Sequence, residues 1–333
     1  MDSSEEVVDV LMATYNTNIK YLKLQLDSII NQTYKNINII ISDDNSTDNK
    51  VKEILKQYEE KDSRIKLYFQ DENLGYLKNF EFLLTKSGGE YISLADHDDI
   101  WYEDKIEKCI ERINDKKVDL VYSDAKQIDE NGKVINESYI KYKNMPVIKG
   151  ENNILAFSRH IAIGCSQVFT KKIKENMLPF TKGMMAHDWI PVYLADRVGY
   201  GVEYIEKPLF GYRLHTDNVF GGRSLKQNLG NWKQNHGKSF KSYKEYRKDA
   251  ITRAYLSGVL MCKEYNEKLG IDTTKLQNNV IKYYEKCLKT KVISFRIDKY
   301  MKYLSFKGIG KRRLKEIMLF HFPIISYLVF LVK

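Results

Sequence analysis

Tyr91-Ile92-Ser93-Leu94-Ala95-Asp96-His97-Asp98-Asp99 is the stretch on which the fold turns. It is an uncharged, mostly apolar run that ends abruptly in carboxylates. A short apolar run without alternation is what a strand buried on both faces looks like. Carboxylates directly after such a strand project from the sheet edge with little backbone freedom.

Working outward, the same pattern recurs. Val7 to Ala13 is a short apolar run followed by Thr14-Tyr15-Asn16. Leu22, Leu26, Ile29 and Ile30 then repeat at helical spacing. Ile37 to Ile41 is β-branched and runs into Ser42-Asp43-Asp44, and a helix is predicted from about Thr47. Ile65 to Phe69 is a third strand, Leu77 to Leu84 lies on the next helix, and Ile106, Ile110 and Ile113 mark another before a strand at Asp119 to Tyr122. Strands alternating with helices predict an α/β fold, a mostly parallel sheet flanked by helices. Ligands in such sheets bind beyond the carboxyl ends of the strands, where the polar clusters after the first, second and fourth strands gather.

Asp129-Glu130-Asn131-Gly132 predicts a turn and an antiparallel hairpin, and residues 136–153 read as a loop. Gly164 to Thr170 is predicted as a strand and His187 to Arg197 as a helix. Val202 to Leu214 reads as a strand pair broken at Pro208. Beyond Gly222 the pattern is helical and Lys-rich.

The net charge of +10 is unevenly divided. From Arg223 to Lys333 there are 25 Lys and Arg against 8 Asp and Glu, whereas residues 1–222 hold 29 against 36. Two chemically different parts are therefore expected, residues 1–222 as the α/β domain and 223–333 as a basic helical region. The latter holds Lys311-Arg312-Arg313-Leu314-Lys315 just before the apolar run Ile317 to Val332. At 16 residues that run falls short of the roughly 20 that span a bilayer. A basic cluster beside it suits peripheral contact with an anionic membrane, while packing on the catalytic domain or in a homodimer is the bland alternative. The aromatic residues of this region match no nucleic-acid-binding module, so no nucleic acid is expected. Met1 to Asp9 carries Asp2, Glu5, Glu6 and Asp9, unlike a secretory leader, and the four cysteines have no metal or redox spacing. A cytoplasmic protein, peripheral on the inner face of the plasma membrane, is the expectation.

The acidic run suits a hard divalent cation, Mn²⁺ or Mg²⁺, which takes oxygen ligands from one or two carboxylates plus phosphate oxygens. A calcium loop is excluded, because Trp101 stands where that loop needs glycine. Alone, an Asp-x-Asp is equally a solvated turn. Asp43 and Asp44 occupy the same strand-to-helix position; Ser46 or Thr47 would cap the following helix, and a carboxylate there would accept the imino N–H of a uracil or thymine ring.

As a set these motifs resemble the family 2 glycosyltransferases, which have the Rossmann-like GT-A fold. The matching segments are Ala13 to Asn16, Gln32 to Asn36, Asp43 to Asp48, Asn73-Leu74-Gly75, Gly89 to Ile92 and Asp96 to Asp99, in family order. The run Asn73 to Phe80 (with Lys78), Asp98-Asp99-Ile100-Trp101, His187-Asp188-Trp189 and Tyr212-Arg213-Leu214-His215 look like the rhamnosyltransferase branch, although His97 stands where that branch often has Gln.

The resemblance implies an inverting transfer from a nucleotide-diphosphate sugar, dTDP-L-rhamnose or a UDP-hexose, to a glycan or lipid-linked acceptor. Thr14, Tyr15 and Asp44 would hold the base, with Asn16, Asp43, Asn73, Lys78 and His97 nearby. Asp96 would meet the ribose and Asp98 the metal. Asp188 would be the catalytic base, against the alternative of an acid that merely favours a helix N-terminus. Arg213 would meet the diphosphate and His215 the metal, while Gly164, Cys165, His187, Trp189, Asp99 and Trp101 would border the acceptor. A sugar nucleotidyltransferase is disfavoured, since the first strand is not followed by a Gly-rich basic loop. A non-catalytic sugar-binding relative is the other alternative.

Overall fold

The computed structural model describes residues 6–215 and 256–289, with isolated positions between them. The change of composition near Gly221-Gly222, the basic cluster at Lys311 and the apolar run from Ile317 lie outside the described residues. Among the described residues no helix is long and apolar enough to cross a membrane.

A mixed sheet organises residues 6–213. Its strands are β1 (Val8–Thr14), β2 (Ile37–Asp43), β3 (Ile65–Phe69), β4 (Tyr91–Ala95), β5 (Ile100–Trp101), β6 (Leu120–Ile128), β7 (Val134–Asn136), β8 (Gln167–Thr170) and β9 (Val202–Arg213). They run in the order β3-β2-β1-β4-β8-β6-β9-β5, with β7 on β6. The long ladders are parallel (β1 with β2 and β4, β2 with β3, β6 with β9), and the pairings through β8, β5 and β7 are short and antiparallel. The helices of this region are α1 (Ile19–Ile30), α2 (Asn49–Lys61), α3 (Tyr76–Lys86), α4 (Lys105–Lys116), α5 (Tyr139–Lys143), α6 (Ile154–Ser158), α7 (Lys171–Met177) and α8 (Trp189–Arg197).

The core follows from the apolar runs: Val8, Val10, Leu11 and Met12 of β1, Ile39 and Ile41 of β2 and Ile92 of β4 are sealed from water. Leu22, Leu26 and Ile29 of α1 are buried by the helical spacing that marks them in sequence. The Asn18 side chain accepts from the N–H groups of Lys20 and Tyr21, a cap of about 1 kcal/mol.

Four local expectations need revision. The 202–213 segment is one strand; a register irregularity opposite Asp124 absorbs Pro208, which cannot donate to a ladder. Gly164–Ser166 is a 3-10 turn before β8, not strand. Residues 136–153 contain α5 as well as loop. The cap of α2 is Asp48, whose side chain accepts from the Lys50 N–H, while Ser46 turns inward to Asp43.

The chain divides into two compact units, the first comprising residues 1–156 and 160–213 and the second residues 157–159 and 214–333. In the second, the described helices are Ser257–Lys268 and Lys275–Lys289, with Val259, Met261, Cys262, Tyr265 and Tyr284 in its core.

Candidate active site

The parallel register places Thr14 beside Asp43 and Met12 beside Ala95, so the ends of β1, β2 and β4 open on one edge. The antiparallel β8 enters from the opposite direction. Its register pairs Ser93 with Val168, which carries the preceding Gly164–Ser166 turn up to the acidic residues after β4.

The polar groups of the β1–β2 corner are engaged with one another. Thr14 Oγ1 donates to Asp43 Oδ1 at 3.0 Å, and Asp43 also accepts from the Ser46 N–H and hydroxyl at 2.8 and 2.6 Å. Asn16, with a left-handed φ of 45°, accepts from Thr47 through its side-chain oxygen. Asp44 takes the N–H groups of Leu74 and Gly75 at 2.7 and 2.9 Å, one on each carboxylate oxygen. Gly75 enters α3 with φ 78°, a conformation that suits glycine. Asn73 and Lys78 on the same rim are exposed. Of the three residues expected to hold a base, only Tyr15 is open to solvent, at 47% exposure, while Thr14 and Asp44 are buried. Asp43 is wholly buried, with both carboxylate oxygens accepting from Thr14 and Ser46.

The corner after β4 is electrostatically unsettled. Ligand atoms of Asp96, Asp99 and Cys165 lie within 4.8 Å of one another. Burial, then the charges of Asp98 and Asp188, push the Asp96 carboxyl up to about 7. Burial, then Asp98 and Asp96, raise Asp99 well above the ordinary carboxylate range. Burial, then the two carboxyls, likewise raise Cys165, which is therefore a neutral thiol. Asp99 Oδ1 accepts the Arg213 N–H at 2.9 Å, but its buried Oδ2 has no hydrogen-bond partner. An orphaned carboxylate oxygen amid mutually repelling acids is a donor set that fits a hard divalent cation, and a neutral thiol adds little to it. His97 and Asp98 are only partly buried, with Nδ1 and Oδ1 3.9 Å apart.

Several expected contacts prove structural. Arg213 is fully buried; its guanidinium donates to the carbonyls of Asp98, Asp129 and Glu130 and lies 4.5 Å from the Tyr21 ring centroid. It clamps the acidic loop onto the β6–β7 turn. Trp101 is buried under the Lys105 ammonium, 3.6 Å from its ring centroid, and Trp189 donates Nε1–H to the Ala156 carbonyl from a buried position. Trp101 and Trp189 are thus engaged within the protein, and Asp99 is buried among the acids after β4. His215 belongs to the second compact unit and is half-buried.

Asp188 occupies the N-cap position of α8, yet its side chain does not cap the helix. Its Oδ2 instead lies 2.9 Å from His160 Nε2 and accepts the Gly164 N–H at 3.1 Å. Gly164 permits this approach: a Cβ there would stand 3.3 Å from Asp188 Cβ. Burial pushes the Asp188 carboxyl up, but His160 by charge and hydrogen bond, and His187 by charge, more than reverse this and bring it to about 2. His187 stacks on Phe80 with centroids 3.9 Å apart, and its sealed Nδ1 has no partner. Burial lowers its pKa, which favours a neutral ring that packs.

Two residues of this corner escaped sequence reasoning. His160 is a lone histidine 28 positions before its partner, and only the fold joins them. Lys105, completely buried with Nζ 3.3 Å from Ser93 Oγ, reads in sequence as an ordinary helix-surface lysine. Its burial lowers its pKa, partly offset by Cys109, Cys165 and Asp99.

Residues 9–178 match the family described as Glycosyl transferase family 2. The chain belongs to glycosyltransferase family 2. It is 33% identical over 233 residues to an uncharacterized glycosyltransferase of Methanocaldococcus jannaschii, covering 68% of this chain and 78% of that protein. It is 29% identical over 225 residues to the glycosyltransferase GlyA of Streptococcus pneumoniae, covering 65% of this chain but only 32% of that protein. Among solved structures, S. aureus TarS 1–349 in complex with UDP-GlcNAc superposes with a TM-score of 0.55 at 15% identity, over 84% of this chain and 71% of TarS. A mannosyltransferase of Pyrobaculum calidifontis in complex with GDP-Man and Mn²⁺ gives 0.53 at 15% identity, over 98% and 85% of the two chains. The GT-A fold is thus the fold of this family 2 glycosyltransferase, which transfers a sugar from a nucleotide-sugar donor.

Proposed function

We propose that this glycosyltransferase moves a hexosyl group from a nucleotide-diphosphate sugar to a glycan or lipid-linked acceptor by a single inverting displacement, with Asp188 as the base. The supporting observation is the Asp188 carboxylate itself. It sits at a helix N-terminus without capping it, is turned inward to His160 and Gly164, and shares a field with Asp96.

The acceptor hydroxyl gives its proton to Asp188 as its oxygen forms a bond to the anomeric carbon. The bond from that carbon to the diphosphate breaks, and its electron pair leaves with the phosphate oxygen. Asp98 would hold a Mn²⁺ or Mg²⁺ ion, which supplies charge stabilisation for the departing diphosphate. Asp96 would meet the ribose, and Tyr15 offers an exposed ring to the base.

L-Rhamnose from dTDP-L-rhamnose is the preferred donor on the Asn73 to Phe80 and His187-Asp188-Trp189 motifs. A UDP-hexose is the second reading, favoured by His97 in place of the Gln often found in the rhamnosyl branch. The basic cluster at Lys311 and the apolar run after it would bring the enzyme to a membrane-held acceptor, and residues 1–222 would form the catalytic domain. The direct test is a panel of dTDP-L-rhamnose, UDP-glucose, UDP-galactose and UDP-GlcNAc, assayed with Mn²⁺ for thermal shift and nucleoside diphosphate release. Turnover of one donor above the rest fixes the sugar; no release from any of them would sink the reading.

A further inference from the structure

His160 is not needed to explain the fold of the Asp188 segment. That segment is already held by Gln167, whose Nε2 donates to the Asp188 carbonyl at 2.7 Å, and by the buried Trp189 indole. The imidazole nevertheless follows α6 directly into the cleft. Its Nε2 meets Asp188 Oδ2 at 2.9 Å, and its ring packs edge-on against Trp189 with centroids 6.1 Å apart. The Gly164 N–H ends on the same oxygen. Two donors from two different segments thus converge on Oδ2. We propose that His160 is a positioning residue of the transfer reaction, orienting the Asp188 carboxylate and keeping it ionised to receive the acceptor's proton.

The reading rests on Asp188 being the base. The proton leaves the acceptor oxygen for the Asp188 carboxylate, and His160 forms or breaks no covalent bond to the sugar. The titratable groups facing Asp188 are Tyr76 from α3, Asp96 from the end of β4, His187 from its own segment and His160. Asp96 opposes ionisation of Asp188, as does burial, and Tyr76 is a neutral phenol whose pKa is itself raised. His187, stacked on Phe80, also lowers the Asp188 pKa by charge, but less than His160 does. The positive contribution therefore falls chiefly to His160. Without it, the largest influence opposing burial is gone, the Asp188 pKa rises, and activity is lost as pH falls through that higher value.

The test uses the full chain with Mn²⁺ and a mixture of UDP-glucose, UDP-GlcNAc, GDP-mannose and dTDP-L-rhamnose. Nucleoside diphosphate release is followed from about pH 5 to about pH 9 in wild type, His160→Ala and His160→Gln. His160→Ala is expected to lower kcat by roughly ten- to a hundred-fold at the acid end, with the loss shrinking as pH rises and donor KM unchanged. His160→Gln keeps an N–H donor and should recover most of the rate at the alkaline end. An equal loss at every pH, or a rise in donor KM alone, overturns the proposal. A second arm needs no turnover: imidazole titration by NMR in wild type and Asp188→Asn. The His160 midpoint should fall in Asp188→Asn, and an unmoved midpoint overturns the pairing. Full turnover by Asp188→Asn with a moved midpoint removes the base assignment and the positioning role with it, while the pairing stands.

Discussion

The corner after β1 and β2 and the corner after β4 carry similar residues at the same edge of one sheet, yet their acids are in opposite condition. Asp43 and Asp44 have their oxygens filled by Thr14, Ser46 and the N–H groups of Leu74 and Gly75. Asp96 and Asp99 are pushed above the carboxylate range, and Asp99 keeps a buried oxygen with no partner. A carboxylate saturated with backbone donors builds a loop. Carboxylates that repel each other beside a buried orphan oxygen are the ones that await a cation. The difference lies in the surroundings of each acid and not in its identity.

The sharpest way to break this comparison lies at the base. Asp188→Asn should lower turnover by roughly 10²- to 10⁴-fold while leaving metal-dependent nucleotide binding intact, read by steady-state kinetics and calorimetry. Near-normal turnover would remove the base role. Asp44→Ala should behave in the opposite sense. It strands the N–H groups of Leu74 and Gly75 and is expected to cost about 1–3 kcal/mol, seen as a lower Tm. Asp98→Ala should cut donor affinity roughly tenfold without lowering Tm, because it relieves repulsion on Asp96 and Asp99. If Asp44→Ala leaves Tm unchanged, or Asp98→Ala lowers it, the contrast between the two corners fails.

The smallest effect is one of pH. With the Asp96 carboxyl at about 7, the group is protonated below that pH and ionised above it. The ionised form adds a negative charge beside the metal position proposed at Asp98, so Mn²⁺ affinity should rise several-fold as pH increases through about 7. Calorimetric titration at three pH values reads this directly, and a flat profile contradicts it.

Much of this was legible in the sequence. The alternation of apolar runs with helical spacing gives the α/β sheet, and the polar clusters after β1, β2 and β4 fall at its ligand edge because parallel strands end together. The fates of particular side chains were not legible. Arg213 beside a phosphate site suggests an anion contact, but its Nε and Nη1 donate to three protein carbonyls. Asp99 and Trp101 adjoin the metal-like motif in sequence and are nonetheless buried, because β5 pairs with β9 and draws them under the sheet edge. His160 has no local signature, since its partner is supplied by a different segment. Sequence shows which acids lie at an edge, whereas the occupancy of their lone pairs is a tertiary property.

The most direct measurement is donor affinity of the wild-type chain with Mn²⁺ and again in chelator, using the panel donor that binds best. A loss of roughly tenfold or more in chelator, matched by Asp98→Ala with Mn²⁺ present, is the predicted result. Equal affinity in Mn²⁺ and in chelator would contradict the assignment of the acidic corner as the metal and diphosphate site.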